Sequence, residues 1–325
     1  MIEQNYNEAA SLKNKVVQDI IACDLKDKNG LNDFQKLPTE DLIAIPRVGI
    51  NNFHLPVNIK NKFGELRSHD CKASMYVNLN ANKNGVSMSR LCTILQQESE
   101  TDTMGVELFK KIMDRYQAEL KDEGDDDIVE DAHLKLSFNF PVKQKSLKSD
   151  NWGWQYYPCD LTGKYTKDKG FEYFITIDYK YSSTCPCSLS MAKQYEREYA
   201  AGTITEGSGI GVPHSQRSNM KCKVKLDPKA SFFIEDLIDL LRVAIPTETQ
   251  SLVKRVDEQA FAILNGAHPM FVEHASKSTY KVLNSDQRIL DWIVQLEHLE
   301  SLHSHNAAAV IFKGVQNGLR ADTIF

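Results

Sequence analysis

Apolar residues recur at every second position in four separate stretches of the chain. Such alternation is typical of β-strands that bury one face and keep the other face wetter, which favours antiparallel sheets. The alternating apolar residues are Ala73, Met75, Val77 and Leu79; Leu134, Leu136, Phe138 and Phe140; Tyr173, Ile175, Ile177, Tyr179 and Tyr181; and Met220, Cys222, Val224 and Leu226.

Helical spacing, with apolar residues three or four positions apart, appears between the predicted strands. Further helices are predicted over Val253–Leu264 and, shorter, around Val16–Cys23. The acidic run within Lys121–Asp127 predicts a solvated loop. The two clearest helical sets are Met104, Leu108, Phe109, Ile112, Met113, Tyr116 and Leu120, and Phe233, Ile234, Leu237, Leu240 and Leu241.

The order of these elements predicts the fold class. A strand pair, a helix pair and another strand pair occur twice, which favours an α+β fold of two tandem units over an alternating βαβ fold. The final segment, Ile289–Phe312, fits either a strand or a helix. We expect an N-terminal arm over 1–40, a first unit over 41–165 and a second unit over 166–325. The predicted blocks are strands over 43–80, helices over 88–122, strands over 131–162, strands over 171–226 and helices over 231–266.

Composition narrows the class of protein. The chain has 325 residues, 42% hydrophobic and 26% charged, which is typical of a globular protein of two modules. A formal net charge of -5 argues against a general nucleic-acid binder, although a small anionic substrate needs only a local basic pocket. Seven scattered cysteines, no signal peptide and no apolar run of roughly 18 residues predict a cytoplasmic protein with reduced thiols and no membrane partner.

The segment Ser182–Ser188, S-S-T-C-P-C-S, directly follows a predicted strand. The end of a strand is a rigid place from which to present a reactive side chain. Cys185 and Cys187 can be metal ligands, nucleophiles or structural thiols, and their spacing alone leaves all three open. Because no second close cysteine pair exists, a closed zinc site with four cysteine ligands is disfavoured, whereas an open catalytic metal site is compatible.

The segment Gly211–Ser218 contains His214 just before another predicted strand. A lone histidine is more often structural than a metal ligand. If the two strands pair, however, Cys185 and His214 meet at one end of the sheet, which favours a ligand role. The preceding glycine-rich loop fits neither the P-loop nor the Rossmann pattern.

Three later segments also carry candidate chemistry. Lys254–Gln259 reads as a solvated helix face, and Pro269–Glu273 as a loop leading into a short strand. In Glu300–Asn306, the sequence H-S-H on a strand places both imidazoles on one face, which suits a metal or proton transfer.

Taken in order, these segments resemble the type IB family of GTP cyclohydrolase I. Gly85–Leu91, G-V-S-M-S-R-L, is also similar to that family's G-[IV]-H-M-S-R segment, and the resemblance runs from about Ile43 to Phe312. The other matching segments are Ser182–Ser188, Pro213–Ser218, Val253–Gln259, His268–Glu273 and Glu300–His305.

The resemblance implies a fold, an assembly and a reaction. The expected architecture is two tandem tunnelling-fold (T-fold) units, with antiparallel sheets and paired helices on one face. The expected assembly is a homo-oligomer, typically a tetramer, with active sites between subunits. The implied reaction converts GTP and water to 7,8-dihydroneopterin triphosphate and formate, the first step toward tetrahydrofolate and in many bacteria also toward queuosine.

The resemblance also assigns a metal and a base-recognition residue. Cys185, His214 and the carboxylate of Glu258 match the family's ligands for one divalent metal, and this mixed set suits zinc, manganese or iron. Cys185 is accordingly a catalytic residue. Glu273 matches the glutamate that recognises the guanine edge, whose N1–H and exocyclic amine are adjacent donors.

The remaining roles fall on cations and histidines. The triphosphate needs positive charge, for which Arg90 and Arg217 are the candidates. Proton transfers after ring opening need acid–base groups, for which His303 and His305 are the candidates.

One residue departs from the family pattern and keeps alternatives open. Ser87 stands where the family usually has histidine in G-[IV]-H-M-S-R. A related cyclohydrolase with a different product, a non-catalytic oligomeric scaffold and a redox protein using Cys185 and Cys187 are the rival hypotheses. A redox protein would need neither His214 nor Glu273.

Overall fold

The computed structural model describes residues 15–27, 29–37, 39, 42–120 and 129–323. Its strands form one eight-stranded antiparallel sheet in which every strand pairs with the next one along the chain. The predicted α+β class with antiparallel pairing is confirmed, and the strands join into a single continuous sheet. The strands are β1 (Ile45–Lys60), β2 (Leu66–Leu79), β3 (Asp131–Lys145), β4 (Trp152–Thr166), β5 (Gly170–Thr184), β6 (Ser215–Leu226), β7 (Ile289–His298) and β8 (Ala307–Phe312).

Helices connect the strands at three places. Residues 15–22 are also helical, as predicted around Val16–Cys23. The acidic run within Lys121–Asp127 lies outside the described residues. No described helix is both long and apolar enough to span a bilayer. The helices are α1 (Met88–Thr101), α2 (Val106–Glu119), α3 (Pro186–Ala200), α4 (Ile234–Ala244), α5 (Arg255–Ala267) and α6 (Val272–Ser285).

Helices α1, α2, α4, α5 and α6 pack on strands of the sheet, and the core lies between the sheet and these helices. The alternating apolar residues that predicted the strands point into this core; Met75, Leu134 and Ile177, for example, are completely buried. In the first half α2 packs against β3, β4 and β5. Gly163 permits this approach, because a Cβ there would lie 2.6 Å from the ring of Phe109.

The second half follows the same plan with extra helices. Helix α4 packs on α6 and β5, and α6 packs on β7 and β8. Trp292 of β7 is completely buried there, and its indole N–H donates to Asn284 Oδ1 at 3.0 Å.

The opposite face of the sheet is strongly charged. An open cavity of about 400 Å³ on this face is lined by groups of both signs, among them Asp160, Asp178 and Lys221. Burial raises the pKa of Asp178 and lowers that of Lys223 on the same face. Alternation along β6 turns Arg217 toward this face, because the buried neighbours Gln216 and Ser218 point to the other one.

Two helices and one loop differ from the predicted elements. Helix α3 was not predicted, because only Ala192 of its residues is buried and no apolar stripe marks it. The segment after Pro269 is not a loop leading to a strand but opens α6, whose buried face includes Ser276 and Thr279 and so lacks a clear apolar period. The H-S-H segment lies in the loop between β7 and β8 rather than on a strand, while Ile289–Phe312 as a whole is strand, loop and strand.

Candidate metal centre at the end of the sheet

Cys185 and His214 are neighbours at the end of the β5–β6 pair. The last residues of the ladder are Thr184 and Ser215. One step further, the Cys185 backbone N–H donates to the His214 carbonyl at 3.2 Å, and the His214 N–H donates to Ser188 Oγ at 3.2 Å. The strands therefore pair as predicted and bring the thiol and the imidazole to one end of the sheet.

The local sequence explains where the thiol sits. Cys185 is the N-cap of α3, and Pro186 follows at the first helical position, where its missing N–H costs nothing. The helix dipole favours negative charge at this end. Cys185 is half-buried, whereas Cys187 is exposed, and all seven cysteines are free thiols.

The imidazole of His214 is held through one of its two nitrogens. Its Nδ1 lies 3.1 Å from Gln216 Oε1 and 3.4 Å from a carboxylate oxygen of Glu300. Both neighbours are acceptors, so Nδ1 carries the proton and donates, which leaves the lone pair on Nε2. Among the described residues Nε2 has no hydrogen-bond partner.

Gln216 is itself fixed by the strand pair. Its amide Nε2 donates to Ser183 Oγ at 2.8 Å, and this hydroxyl shares a hydrogen bond of 2.7 Å with Ser218 Oγ. All three residues are buried. The orientation of the His214 ring is therefore set by a small polar network that belongs to the sheet itself.

Glu300 is a residue of this centre that the sequence did not single out. It follows β7 in a tight turn in which its N–H donates to the His298 carbonyl at 2.9 Å. Its side chain is only 15% exposed. Its segment was noted for its two histidines, and an acidic residue just before them was the available signal.

Behind Glu300 lies the buried imidazole of His298. Its Nδ1 is 3.9 Å from Glu300 Oε1, and its Nε2 is 3.0 Å from the hydroxyl of Tyr181. Burial lowers the pKa of His298 to about 4, against a smaller raising effect of the charge on Glu273. His298 is therefore neutral at physiological pH.

Glu273 reaches the same end of the sheet from α6. The backbone N–H of Met270 donates to the Thr184 carbonyl at 3.0 Å, which fixes the segment before α6 next to Cys185. Glu273 lies in the first turn of α6 with its side chain exposed, and its charge acts on His298. A carboxylate free of the protein core and close to Cys185 is suitably placed to meet a substrate.

Glu258 is placed differently from the other two predicted ligands. It is exposed in the first turn of α5, and the structure describes no contact between it and Cys185 or His214. Within the described part of the chain, no group of three or more His, Cys, Asp or Glu side chains is arranged as a metal site. A single chain therefore brings together the thiol and the imidazole, but not this carboxylate.

The start of α5 is nevertheless rigidly anchored. The fully buried Asp257 accepts hydrogen bonds from the Lys148 N–H at 2.7 Å, the Ser149 N–H at 2.8 Å and the Lys254 N–H at 2.8 Å. The turn between β3 and β4 thereby fixes the helix that carries Glu258.

The predicted histidines share the loop of Glu300. His303 and His305 are exposed, and their rings stack with centroids 4.7 Å apart. The loop closes on β6 through Ser301 Oγ, which donates to the Ser215 carbonyl at 3.4 Å. The imidazoles therefore extend from the same loop that positions Glu300.

The predicted triphosphate cations lie apart from this centre. Arg90 of α1 donates to the carbonyl of Glu119 at the end of α2, at 2.7 Å. Arg217 is exposed on the face of β6 opposite His214. Neither has a described contact with Cys185, His214 or Glu273.

The donor set fits a divalent metal in part. Cys185 and His214 are neighbours through their backbones, and the second imidazole nitrogen is held by acceptors, as is usual for a metal-ligating histidine. Such soft and borderline donors suit zinc or iron with a position left for water or substrate, and a carboxylate as third ligand would extend the choice to manganese. A third ligand has to come from outside this pair.

Comparison with known proteins gives a consistent result. A family model described as type I GTP cyclohydrolase folE2 matches residues 31–309. The chain is 37% identical over 293 residues to GTP cyclohydrolase FolE2 of Cereibacter sphaeroides, covering 88% of this chain and 76% of the relative. It is 39% identical over 293 residues to GTP cyclohydrolase FolE2 of Roseobacter denitrificans, covering 88% and 75%.

The fold also has a likeness among solved structures. The crystal structure of a hyper-thermostable AgUricase mutant aligns with a TM-score of 0.50, covering 87% of this chain and 96% of that one. At 11% identity this likeness shows the fold alone, which is the tunnelling fold expected for the chain.

Proposed function

The chain belongs to the FolE2 family of type I GTP cyclohydrolases, and on that premise we propose that it converts GTP and water to 7,8-dihydroneopterin triphosphate and formate. The observation that supports a metal-dependent route is the juxtaposition of Cys185 with an imidazole whose Nε2 lone pair is free to bind. Tetrahydrofolate biosynthesis is the pathway that this product would serve.

Cys185 and His214 would hold one divalent ion, with Glu258 as the carboxylate ligand. A bound zinc, manganese or iron ion supplies Lewis-acid activation of water for opening of the purine imidazole ring. Because Glu258 is exposed and apart from the pair within one chain, we propose that the site is completed in a homotetramer, where active sites lie between subunits. Residues 41–165 and 166–325 would form the tandem units of each subunit.

Glu273 would recognise the guanine base. Its carboxylate is exposed beside the thiol-bearing strand end, and it can accept from N1–H and the exocyclic amine together. Charge-assisted pairs of this kind are short, strong and specific in geometry. This arrangement orients the purine with its five-membered ring toward Cys185 and His214.

His303 and His305 would move protons, and Arg90 and Arg217 would bind the triphosphate. The histidines are exposed on the loop that begins at Glu300, so they can approach a substrate held at the sheet end. Arg90 lies on α1, whereas Arg217 is three residues from His214 but on the other face of β6, so we propose that they meet the triphosphate in the assembled oligomer. Ser87, at the N-cap of α1, offers a hydroxyl where relatives with G-[IV]-H-M-S-R have an imidazole.

The experiment that tests this proposal is turnover of GTP by protein that is stripped of metal and reloaded separately with Zn(II), Mn(II) or Fe(II). We expect formate and, after oxidation and dephosphorylation, fluorescent neopterin in equal amounts with at least one metal. Formate without neopterin would indicate a related reaction with another product. A folded oligomer that binds GTP but releases no formate with any metal would contradict the proposal.

A further inference from the structure

A chain of polar side chains leads from the imidazole of His214 into the core. The His214 ring contacts one oxygen of Glu300 at 3.4 Å, and the other oxygen lies 3.9 Å from Nδ1 of His298. His298 Nε2 lies 3.0 Å from the hydroxyl of Tyr181. Tyr181 lies on β5, His298 on β7, Glu300 in the turn after β7 and His214 directly before β6. The pairs Tyr181–Ser218 and Ser218–His298 align the two buried groups across β6.

The inner end of this chain is sealed from water. Tyr181 is completely buried and His298 is 2% exposed. His298 is the only described hydrogen-bond partner of the Tyr181 hydroxyl. Tyr181 is also part of the hydrophobic core, but its hydroxyl is directed to His298, and His298 in turn faces Glu300 at the exposed end of the chain.

We propose that Tyr181 and His298 are positioning residues for the metal centre, acting on His214 through Glu300. This inference rests on the proposed function, because it assigns the two residues to the divalent metal held by Cys185 and His214. Neither residue touches substrate in this assignment, so neither is a catalytic residue.

Proton placement gives the physical reason. Burial raises the pKa of Tyr181, so its hydroxyl keeps a proton and donates it to a hydrogen bond. The acceptor is His298 Nε2, which puts the proton of this neutral imidazole on Nδ1, facing Glu300. A donor on that side helps to orient the Glu300 carboxylate.

The oriented carboxylate then acts on the metal ligand. With its second oxygen 3.4 Å from His214 Nδ1, Glu300 joins Gln216 Oε1 as an acceptor facing that nitrogen, which leaves Nε2 for the metal. Partners that fix the tautomer and angle of a ligating histidine are worth about 10- to 100-fold in metal affinity. The 3.9 Å between His298 Nδ1 and Glu300 Oε1 is longer than a direct hydrogen bond, so this link acts through the N–H dipole that faces the carboxylate.

The test compares Tyr181→Phe with Tyr179→Phe. Tyr179 lies two residues earlier on β5, is also completely buried, and donates its hydroxyl to the Ile245 carbonyl at 2.9 Å. Each variant loses one buried hydroxyl and keeps its ring. Only Tyr181 belongs to the chain that ends at His214.

The measurement is the Mn(II) dissociation constant of the metal-stripped full-length protein, from the electron paramagnetic resonance signal of free Mn(II). We expect about 10-fold weaker binding for Tyr181→Phe and an unchanged value for Tyr179→Phe. Equal affinity in wild type and Tyr181→Phe, or equal weakening in both variants, would overturn the inference. Wild-type protein that binds no Mn(II), Zn(II) or Fe(II) would instead overturn the proposed metal site itself.

A second pair of variants tests the proton on His298. In His298→Asn the amide nitrogen takes the place of Nδ1 and can donate to Glu300, whereas His298→Leu fills the space without a donor. We expect the asparagine variant to keep most of the Mn(II) affinity and the leucine variant to lose about 10- to 100-fold. Equal losses in two folded variants would show that His298 acts only by filling space.

Discussion

Two carboxylates, Glu248 and Glu300, belong to polar clusters that differ in how completely they are hydrogen-bonded. Glu248 belongs to a closed cluster with Gln144, Tyr157 and Arg242: Arg242 Nε donates to it at 2.9 Å, Gln144 Nε2 donates at 2.9 Å, and the Tyr157 hydroxyl also donates. Arg242 returns to the Tyr157 hydroxyl through Nη2 at 3.0 Å. Each member of this closed cluster is hydrogen-bonded to another member.

Glu300 belongs to an open cluster with Cys185, His214, His298 and Tyr181. Tyr181 and His298 at its inner end are buried. At its outer end, His214 Nε2 has no hydrogen-bond partner in the described part of the chain. The two clusters are neighbours, since Tyr181 of the open cluster forms a β-bridge with Glu248 of the closed one. The contrast indicates that the closed cluster stabilises the fold and that the open cluster prepares a binding site.

The largest expected effect separates the two cysteines of C-P-C. Cys185→Ala removes the thiol of the open cluster and should lower GTP turnover by more than about 100-fold, because even partners that only orient ligands are worth 10- to 100-fold. Cys187→Ala is the matched control, since this thiol is exposed and two residues away. Steady-state kinetics with saturating metal checks this, and equal losses in both variants would contradict the ligand assignment.

The closed cluster should respond in stability instead. Glu248→Ala leaves Arg242, Tyr157 and Gln144 without their shared acceptor, and breaking a buried pair of this kind costs about 3–5 kcal/mol. Urea denaturation measures the free energy of unfolding, and Mn(II) affinity of the folded fraction should stay within about twofold of wild type. If Glu248→Ala instead lost much Mn(II) affinity and little free energy of unfolding, the closed cluster would have a role in metal binding and the two clusters would not differ as proposed.

Glu273→Ala tests the carboxylate that lies near the open cluster and is proposed to bind the guanine base. We expect kcat/KM for GTP to fall by about 10- to 100-fold, since a hydrogen bond to a charged group contributes about 1.5–3 kcal/mol. Bound metal should be unchanged, because Glu273 is not assigned as a ligand. Metal analysis of the purified variant checks this, and a metal-free protein would show that Glu273 belongs to the ligand set.

The smallest effect concerns pH. The pKa of His298 is about 4 in the folded protein, below the ordinary value of 6.5, because the ring is buried. The unfolded chain therefore binds a proton between these values that the folded chain does not, so stability falls by about 1.4 kcal/mol per pH unit as the pH drops from 6.5 toward 4. Above pH 6.5 this residue contributes no slope.

In metal-free protein we plot the free energy of unfolding against pH. His298→Asn should make this plot less steep between pH 4 and 6.5, because about one proton fewer is taken up on unfolding. Burial also lowers the pKa of His133 to about 4, but this residue titrates in both proteins and cancels in the difference. An unchanged slope in His298→Asn would show that the ring is not held neutral.

The strands were predictable because apolar residues occupy every second position in them. Completely buried positions such as Met75, Leu134 and Val224 alternate with polar ones, and only a sheet with one covered face satisfies that pattern. Helix α6 escaped prediction because serine and threonine share its buried face, and α3 because it buries almost nothing.

The site could be predicted only for the residues that the pairing of two consecutive strands brings together. Pairing of β5 with β6 brings Cys185 to His214, and both were recognisable from their segments. Glu300, His298 and Tyr181 join them through the register of β6 with β7, which no local pattern reveals. Glu258 is exposed on α5 without a described contact to Cys185 or His214, so its ligand role stays a prediction from the family resemblance.

The central claim is that Cys185 and His214 hold a divalent metal. Its most direct test is the absorption spectrum of metal-stripped Cys187→Ala protein titrated with Co(II), in which thiolate ligation gives an intense charge-transfer band. The account predicts this band at one Co(II) per chain, its loss in the Cys185→Ala protein, and strong weakening in His214→Ala. A spectrum without thiolate ligation, or a band that survives in Cys185→Ala, would contradict it.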